Sequence, residues 1–298
     1  MKKYPESLQQ FFEMFTTEDS CRDFLIEVRW ADGFACPYCS GTEYWKYDKG
    51  ILRCKSCRKD VSVTAGTIFH GRHLPLRTWF QAIWSVVSQK NGISALGLSG
   101  ELGISRQKTG WRLLSTIRTA MVRPGRERLS GLVEVDEVFI GEVKPGKRGR
   151  GAFGKVLVLV AVEDKGEKGF GRIRMMVIPD ATSQSLHTGI EAIVEPGSTI
   201  RTDEFKSYES LTKKEYQHIA VKRQPSTPGD DPTPLVHRIA SLVKRWLLGT
   251  HQGGIHLDNL TPYLDEFVFR FNRKKSHSRG MLFYRLIQGM LRVTDRKG

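Results

Sequence analysis

Long apolar runs are missing from this sequence. The longest, Val156 to Val162, falls far short of the ~20 residues that a bilayer-spanning helix needs. The chain opens Met-Lys-Lys-Tyr-Pro-Glu, with no apolar core that a secretory signal would require, so the cytoplasm is the expected compartment and a membrane is not an expected partner. Acidic residues are also scarce: 32 Asp and Glu stand against 47 Lys and Arg, giving a net charge of +15 and a pI near 9.7. That imbalance attracts polyanions and makes nucleic acid the default partner. Only five cysteines occur, too few for a disulfide scaffold. No internal repeat, coiled coil or low-complexity tract interrupts the chain.

What is present suits a soluble globular chain of roughly two domains or one domain with appendages: 39% hydrophobic and 27% charged over 298 residues. Four cysteines form two Cys-x-x-Cys pairs, Cys36/Cys39 and Cys54/Cys57, with fourteen residues between the pairs. That interval is just under the usual zinc-ribbon spacing. In a reducing compartment, and without a thioredoxin-like βαβ pattern around them, the pairs argue for structural zinc. Four thiolates close a tetrahedral site and leave no open position for chemistry. Cys21 stands alone in an amphipathic segment and reads as a small buried hydrophobe.

Residues 1–30 carry two amphipathic helices. After the ribbon, Pro75 opens a helix with Trp79, Phe80, Ile83, Trp84 and Val87 on its apolar stripe. Ser94 to Leu102, a turn at Gly103-Ile104-Ser105, and Arg106 to Met121 read as helix-turn-helix. Arg106, Gln107 and Lys108 open the second helix, where a recognition helix meets base edges. An ordinary helical hairpin is the plainer reading. Arg123 to Arg128 is a polar linker and the best boundary.

From residue 131 the pattern becomes strand, strand, strand, helix, strand, helix, strand, helix. This is the order of an RNase H-like α/β fold: a mixed sheet with helices on both faces, here preceded by a small zinc ribbon and a helix-turn-helix module. The expected division is 1–70 for the N-terminal helices and ribbon, 71–128 for the helix-turn-helix region and 129–298 for the RNase H-like domain. The Gly- and Lys/Arg-rich stretch 144–151 holds Lys147, Arg148 and Arg150. Its glycines let backbone approach a phosphate, which favours DNA contact over a solvated hairpin tip.

The first strand of this region, Leu132 to Ile140, carries acids in an apolar run. Alternation puts Glu134 and Asp136 on one face and Val133, Val135 and Glu137 on the other. A carboxylate in a core strand is costly unless a basic group or a metal answers it. Asp203 ends the fourth strand, a neighbour of the first in an RNase H-like sheet. Two converging carboxylates repel unless a divalent cation lies between them, and oxygen ligands favour Mg²⁺ or Mn²⁺. Asp136 is the preferred first acid, with Glu134 in reserve. Asp265 and Glu266 share a helix whose Tyr263, Phe267 and Phe271 form a core stripe, and read as partners for Arg or Lys.

With these residues in view, the chain resembles the DDE-type transposases of bacterial insertion sequences, in the group with an N-terminal zinc ribbon and an ISXO-like transposase domain. The resemblance rests on Arg29-Trp30, Gly33-Phe34-Ala35-Cys36-Pro37-Tyr38-Cys39, Thr64 to Phe69, Val135-Asp136-Glu137, Thr202-Asp203 and Tyr263 to Arg273. It implies binding of terminal inverted repeats, cleavage of phosphodiester bonds with divalent metal, and joining of 3′-ends to target DNA. It also implies a homodimer or larger assembly on double-stranded DNA, at the bacterial nucleoid. Asp136 and Asp203 map onto the first two acids of the family's metal-holding triad. At the third position, where Glu is usual, this chain has His237; Asp230 or Asp231 supplying the acid is the alternative. Lys244, one face and two turns on, is implied to touch phosphate near the scissile bond. A catalytically inactive DNA-binding regulator and an RNase H-like nuclease without strand joining are the competing readings.

Overall fold

The computed structural model describes residues 4–123, 125–141, 155–213, 215–222, 231–252 and 255–292. It divides into two compact units, one made of the chain up to Arg123 together with the segment from Ser276, the other running from Pro124 to Lys275.

The first unit begins with α1 (Leu8–Met14) and α2 (Glu18–Arg29). Thr17 and Ser20 close a reciprocal capping box at the start of α2, satisfying two of the N–H groups that a helix start leaves orphaned. Cys21 is fully buried on this helix, and burial pushes its thiol up to about 12, as befits an inert core residue. The ribbon follows as β1 (Tyr44–Tyr47), β2 (Ile51–Cys54) and β3 (Asp60–Ser62), an antiparallel sheet in that order. Helix α3 (Leu76–Ser88) starts directly after Pro75, and the Glu18 carboxylate accepts its first two N–H groups, from Leu76 and Arg77, at 3.0 and 2.9 Å. Then come α4 (Ala95–Glu101) and α5 (Gln107–Thr119). Gly110 lets these two helices meet closely, since a Cβ there would lie 3.0 Å from the Ala95 carbonyl oxygen and clash with the Ser99 hydroxyl.

The second unit is built on β4 (Leu132–Gly141), β5 (Lys155–Asp164), β6 (Phe170–Val177), α6 (Ser183–Ile193), β7 (Thr199–Asp203), a 3₁₀ turn over Lys206–Lys213, β8 (Gln217–Val221), α7 (Pro234–His251) and α8 (Leu260–Asn272). The sheet order is β6-β5-β4-β7-β8, antiparallel across the first three strands and parallel from β4 through β7 to β8. Its first and fourth strands are therefore neighbours, as the RNase H-like reading requires. Alternating side chains give two cores. Val138, Ile140, Val158, Val160 and Val162 meet α7 and α8, while Val133, Val135, Leu159 and Ala161 meet α6 and the 3₁₀ turn.

The α8 motif has a structural task at the sheet edge. The Asn272 amide accepts the Ile173 N–H at 2.8 Å and donates to the Ile173 carbonyl at 3.1 Å, standing in for a missing strand beside β6. The last helix, α9 (Arg279–Met290), departs from the sequence expectation of one piece over 129–298. It belongs to the first unit, because Phe283 packs within 6.0 Å of the rings of Phe11, Phe15, Phe24, Phe80 and Trp84.

Candidate active site and zinc centre

The four ribbon cysteines converge. Their sulfurs all lie within 4.8 Å of one another, with 3.6 Å between Cys36 and Cys57 and between Cys39 and Cys54. A tetrahedral site with Zn–S bonds of ~2.3 Å sets its sulfurs roughly 3.8 Å apart, so the donor set fits zinc. Backbone N–H groups of Cys57 and Ser56 point at the Cys54 sulfur and hold its thiol below the ordinary range, toward the thiolate a metal takes. Among the described residues this is the one cluster of three or more His, Cys, Asp or Glu ligand atoms that close on a common point.

The acids of β4 separate by partner. Glu134 is fully buried, paired with Arg201 of β7, and accepts the Val236 N–H of α7 at 2.7 Å. Arg201 also reaches Asp164 at 3.0 Å. Glu134 is thus answered by a cation and ties the sheet to α7. Asp136, on the same face and 8% exposed, pairs with no Lys or Arg among the described residues. Its carboxylate accepts the Thr233 hydroxyl at 2.7 Å and the Glu137 N–H at 2.7 Å. Burial, with the negative charges of Glu137 and Asp203 added, pushes Asp136 up to about 6 despite the Thr233 bond.

Asp203 reaches the same level. The parallel ladder of β4 and β7 ends at Glu134 and Arg201, and two residues further along each strand stand Asp136 and Asp203. Asp203 is the last residue of β7, whereas β4 runs on to Gly141, and the negative charge of Asp203 acts on the Asp136 carboxylate. Glu137 faces the other way and accepts the hydroxyl of buried Tyr208 at 2.7 Å.

Helix α7 brings the third group. Thr233 precedes its first residue, Pro234, and its hydroxyl holds the helix start against Asp136. One turn in, His237 presents Nε2 to the Asp136 carboxylate at 3.5 Å and Nδ1 to both Asp231 oxygens at 2.7 Å. In the tautomer whose Nδ1–H donates to Asp231, the Nε2 lone pair is turned to Asp136, the orientation a shared cation would need. Metal-bound imidazoles are oriented in this manner. Asp231 itself serves the imidazole here. A separation of 3.5 Å exceeds a hydrogen bond but suits two ligands on one cation at ~2.1 Å each. A buried carboxylate paired with no Lys or Arg among the described residues, and an oxygen–nitrogen donor set, fit a divalent ion such as Mg²⁺ or Mn²⁺.

Lys244 lies exposed two turns beyond His237, with its ammonium held below the ordinary value by burial of its stem and by the charge of Lys155 at the start of β5. Arg106, Gln107 and Lys108 are all exposed at the beginning of α5, which starts at Gln107 rather than at Arg106. Lys147, Arg148 and Arg150, and also Asp230, lie outside the described residues. Glu266 pairs with Arg270, and Asp265 with Arg126, as structural acids. Sequence reasoning missed three contributors. Arg201 could have been found as the basic residue of β7 sharing Glu134's face. Thr233 sits in the Thr-Pro pair that announces a helix start. Tyr208 carries no local signal.

Residues 128–272 match the family model of the ISXO2-like transposase domain, and residues 16–60 match that of the transposase zinc-ribbon domain. A protein in transposable element ISH50 of Halobacterium salinarum is 27% identical over 278 residues, covering 86% of this chain and 91% of its own length. A transposase-like protein of Haemophilus influenzae is 28% identical over 123 residues, 40% of this chain and 97% of its own. Among solved structures, the catalytic core domain of BIV integrase aligns with a TM-score of 0.29 at 17% identity, over 46% of this chain and 81% of that one. Two domain matches in the order ribbon then sheet, at residues 16–60 and 128–272, and a relative from a transposable element aligned over 91% of its own length agree. The chain belongs to the insertion-sequence transposases that join a zinc ribbon to an ISXO2-like transposase domain.

Proposed function

We propose that this transposase binds the terminal inverted repeats of its insertion sequence, cleaves a phosphodiester bond there, and joins the freed 3′-end to target DNA. The observation that carries the reading is Asp136: a buried carboxylate level with Asp203, faced by an imidazole that Asp231 orients, and paired with no Lys or Arg among the described residues. Asp136, Asp203 and His237 would hold Mg²⁺ or Mn²⁺, and imidazole in place of a third carboxylate favours Mn²⁺. Such an ion, when bound, supplies activation of the attacking hydroxyl and charge stabilisation on the leaving oxygen. The chain's own part is to fix the ligands. Thr233 holds Asp136, Asp231 holds His237, and the Glu134–Arg201 pair keeps β4, β7 and α7 in register.

Lys244 and Lys155 supply positive charge for the scissile-strand phosphates. The α4–α5 pair acts as a helix-turn-helix, with Arg106, Gln107 and Lys108 toward the groove, and the basic stretch holding Lys147, Arg148 and Arg150 meets backbone. Two ends must be held together for joining, so a homodimer or larger assembly on DNA is the working form. The test is strand cleavage and joining on end-sequence duplex by the wild type, Asp136→Asn and Asp203→Asn, with Mg²⁺ or Mn²⁺. Cleavage lost in both variants supports the reading. Metal-independent binding with no cleavage by the wild type would make the chain a regulator, and cleavage indifferent to end sequence and without joining would make it a nuclease.

A further inference from the structure

We propose that the outer face of the zinc ribbon is a stacking platform for unpaired DNA bases. Strand β1 is exposed along its whole length, and its register sets Trp45 opposite Arg53 and Tyr47 opposite Ile51. These side chains stand on the face turned away from Leu52, Cys54 and Val61, which form the ribbon's core with Phe34 and Cys36. Trp45 is 37% exposed and Tyr47 47%. Each ring carries a cation: Arg58 lies 4.6 Å from the Trp45 ring centre, and Arg53 lies 4.9 Å from that of Tyr47. Two N–H bonds to Asp60, at 2.7 and 2.9 Å, fix the Arg53 fork in place. Trp45, Lys46, Tyr47, Arg53 and Arg58 together line a shallow groove of about 460 Å³.

Scattered aromatic residues at a surface need no explanation, but two rings side by side on one sheet face, each beside a guanidinium and opening into one groove, do. Contacts to phosphate alone call for cations and gain nothing from indole or phenol. The centre of a protein interface is depleted of charge, whereas Arg53, Arg58 and Asp60 stand around these two rings, in a stretch 43–60 that holds six Lys and Arg against three acids. Rings interleaved with cations match a strand whose bases are splayed out, the bases stacking on Trp45 and Tyr47 while phosphates meet the basic side chains. In a closed duplex the base faces already cover one another, so the rings would have nothing to stack on. The occupant is therefore a single-stranded or frayed segment of DNA. The choice of DNA rests on the transposase reading; the platform itself rests on the ribbon face.

The experiment uses the full, zinc-loaded chain and two fluorescent probes, a thymidine oligonucleotide and a blunt duplex, followed by anisotropy. Trp45→Ala with Tyr47→Ala is expected to weaken oligothymidine binding about tenfold or more, and duplex binding by less than about twofold. Trp45→Phe with Tyr47→Phe should restore the single-strand affinity, since the aromatic faces return. Equal losses on both probes, or no loss on oligothymidine, would overturn the proposal. Zinc content and thermal melting of the alanine variant check its fold. Should it lose zinc, photo-cross-linking of thiothymidine oligonucleotide to the wild type decides: cross-links at 45–47 support the platform, and cross-links confined elsewhere overturn it. Metal-dependent cleavage by the same preparations reports separately on the transposase reading, so either claim can fail alone.

Discussion

Glu134 and Asp136 stand two residues apart on one face of β4, both buried, and among the described residues only Glu134 has an arginine. Arg201 closes on the first carboxylate, while the second has a hydroxyl, a backbone N–H and a half-exposed imidazole around it. The strand thus holds one acid for the fold and one against it. Neutralising Asp136 and unpairing Glu134 should therefore have opposite consequences.

For Asp136 the charge is a burden to the metal-free protein. Its carboxyl titrates at about 6 in the folded chain against ~3.9 in an unfolded one. Because the folded value is raised, the folded state binds the proton more tightly. Stability is then greatest below the unfolded value and falls as pH climbs from about 4 through 6. Asp136→Asn should therefore be more stable than the wild type at pH 7 in the absence of added Mg²⁺ or Mn²⁺, by about 1–2 kcal/mol, with the gap closing toward pH 4. Urea denaturation across that pH range measures it. A variant less stable than the wild type at pH 7 would show that the carboxylate is satisfied by its hydrogen bonds alone.

For Glu134 the partner is what matters. Arg201→Met leaves a fully buried carboxylate with only a backbone donor beside it, and should cost about 3–5 kcal/mol. It should do so whether or not divalent metal is present, which separates this pair from the Asp136 site. Denaturation midpoints with and without Mn²⁺ read the difference.

How much of this was legible in the sequence follows from what kind of signal each residue leaves. Alternation along 132–140 set Glu134 and Asp136 on a common face, and the strand-helix order placed Asp203 beside them, because period and order are local properties. Which acid found the arginine was not legible, since Arg201 lies 67 positions from Glu134 and only the parallel register brings them level. Asn272 could be read as part of a motif but not as the edge cap of β6, ninety-nine positions away. The place of α9 was hidden for the same reason. Its amphipathic pattern states that one face is buried, not that Phe283 belongs with the rings of Phe11, Phe15 and Phe24.

Zinc should behave as structural. One equivalent per chain is expected in the purified protein, and Cys36→Ser or Cys54→Ser should lose it and unfold the ribbon, because the small core of Phe34, Leu52 and Val61 is too slight to hold β1–β3 alone. Cys21→Ala should retain full zinc, since that thiol is buried in α2 with its proton held firmly. Metal analysis with circular dichroism distinguishes these outcomes. Zinc retained by Cys54→Ser would point to a different ligand set.

The imidazole yields the most discriminating comparison. If His237 meets the metal through Nε2, its ring must be neutral and held by Asp231, so the two residues should fail in graded fashion. His237→Ala should abolish measurable cleavage, or at the least reduce it by about two orders of magnitude. Asp231→Asn, which still accepts a hydrogen bond but no longer favours the Nδ1 proton as strongly, should lose about 10–100-fold in metal affinity and recover part of its activity at high Mn²⁺. His237→Glu restores a carboxylate at the third position and should shift the preference from Mn²⁺ toward Mg²⁺, because the harder ion favours oxygen over nitrogen. Titrating both ions against cleavage by all three variants reads this directly. Full activity in His237→Ala would remove the imidazole from the site and leave Asp136 and Asp203 to find their third partner elsewhere.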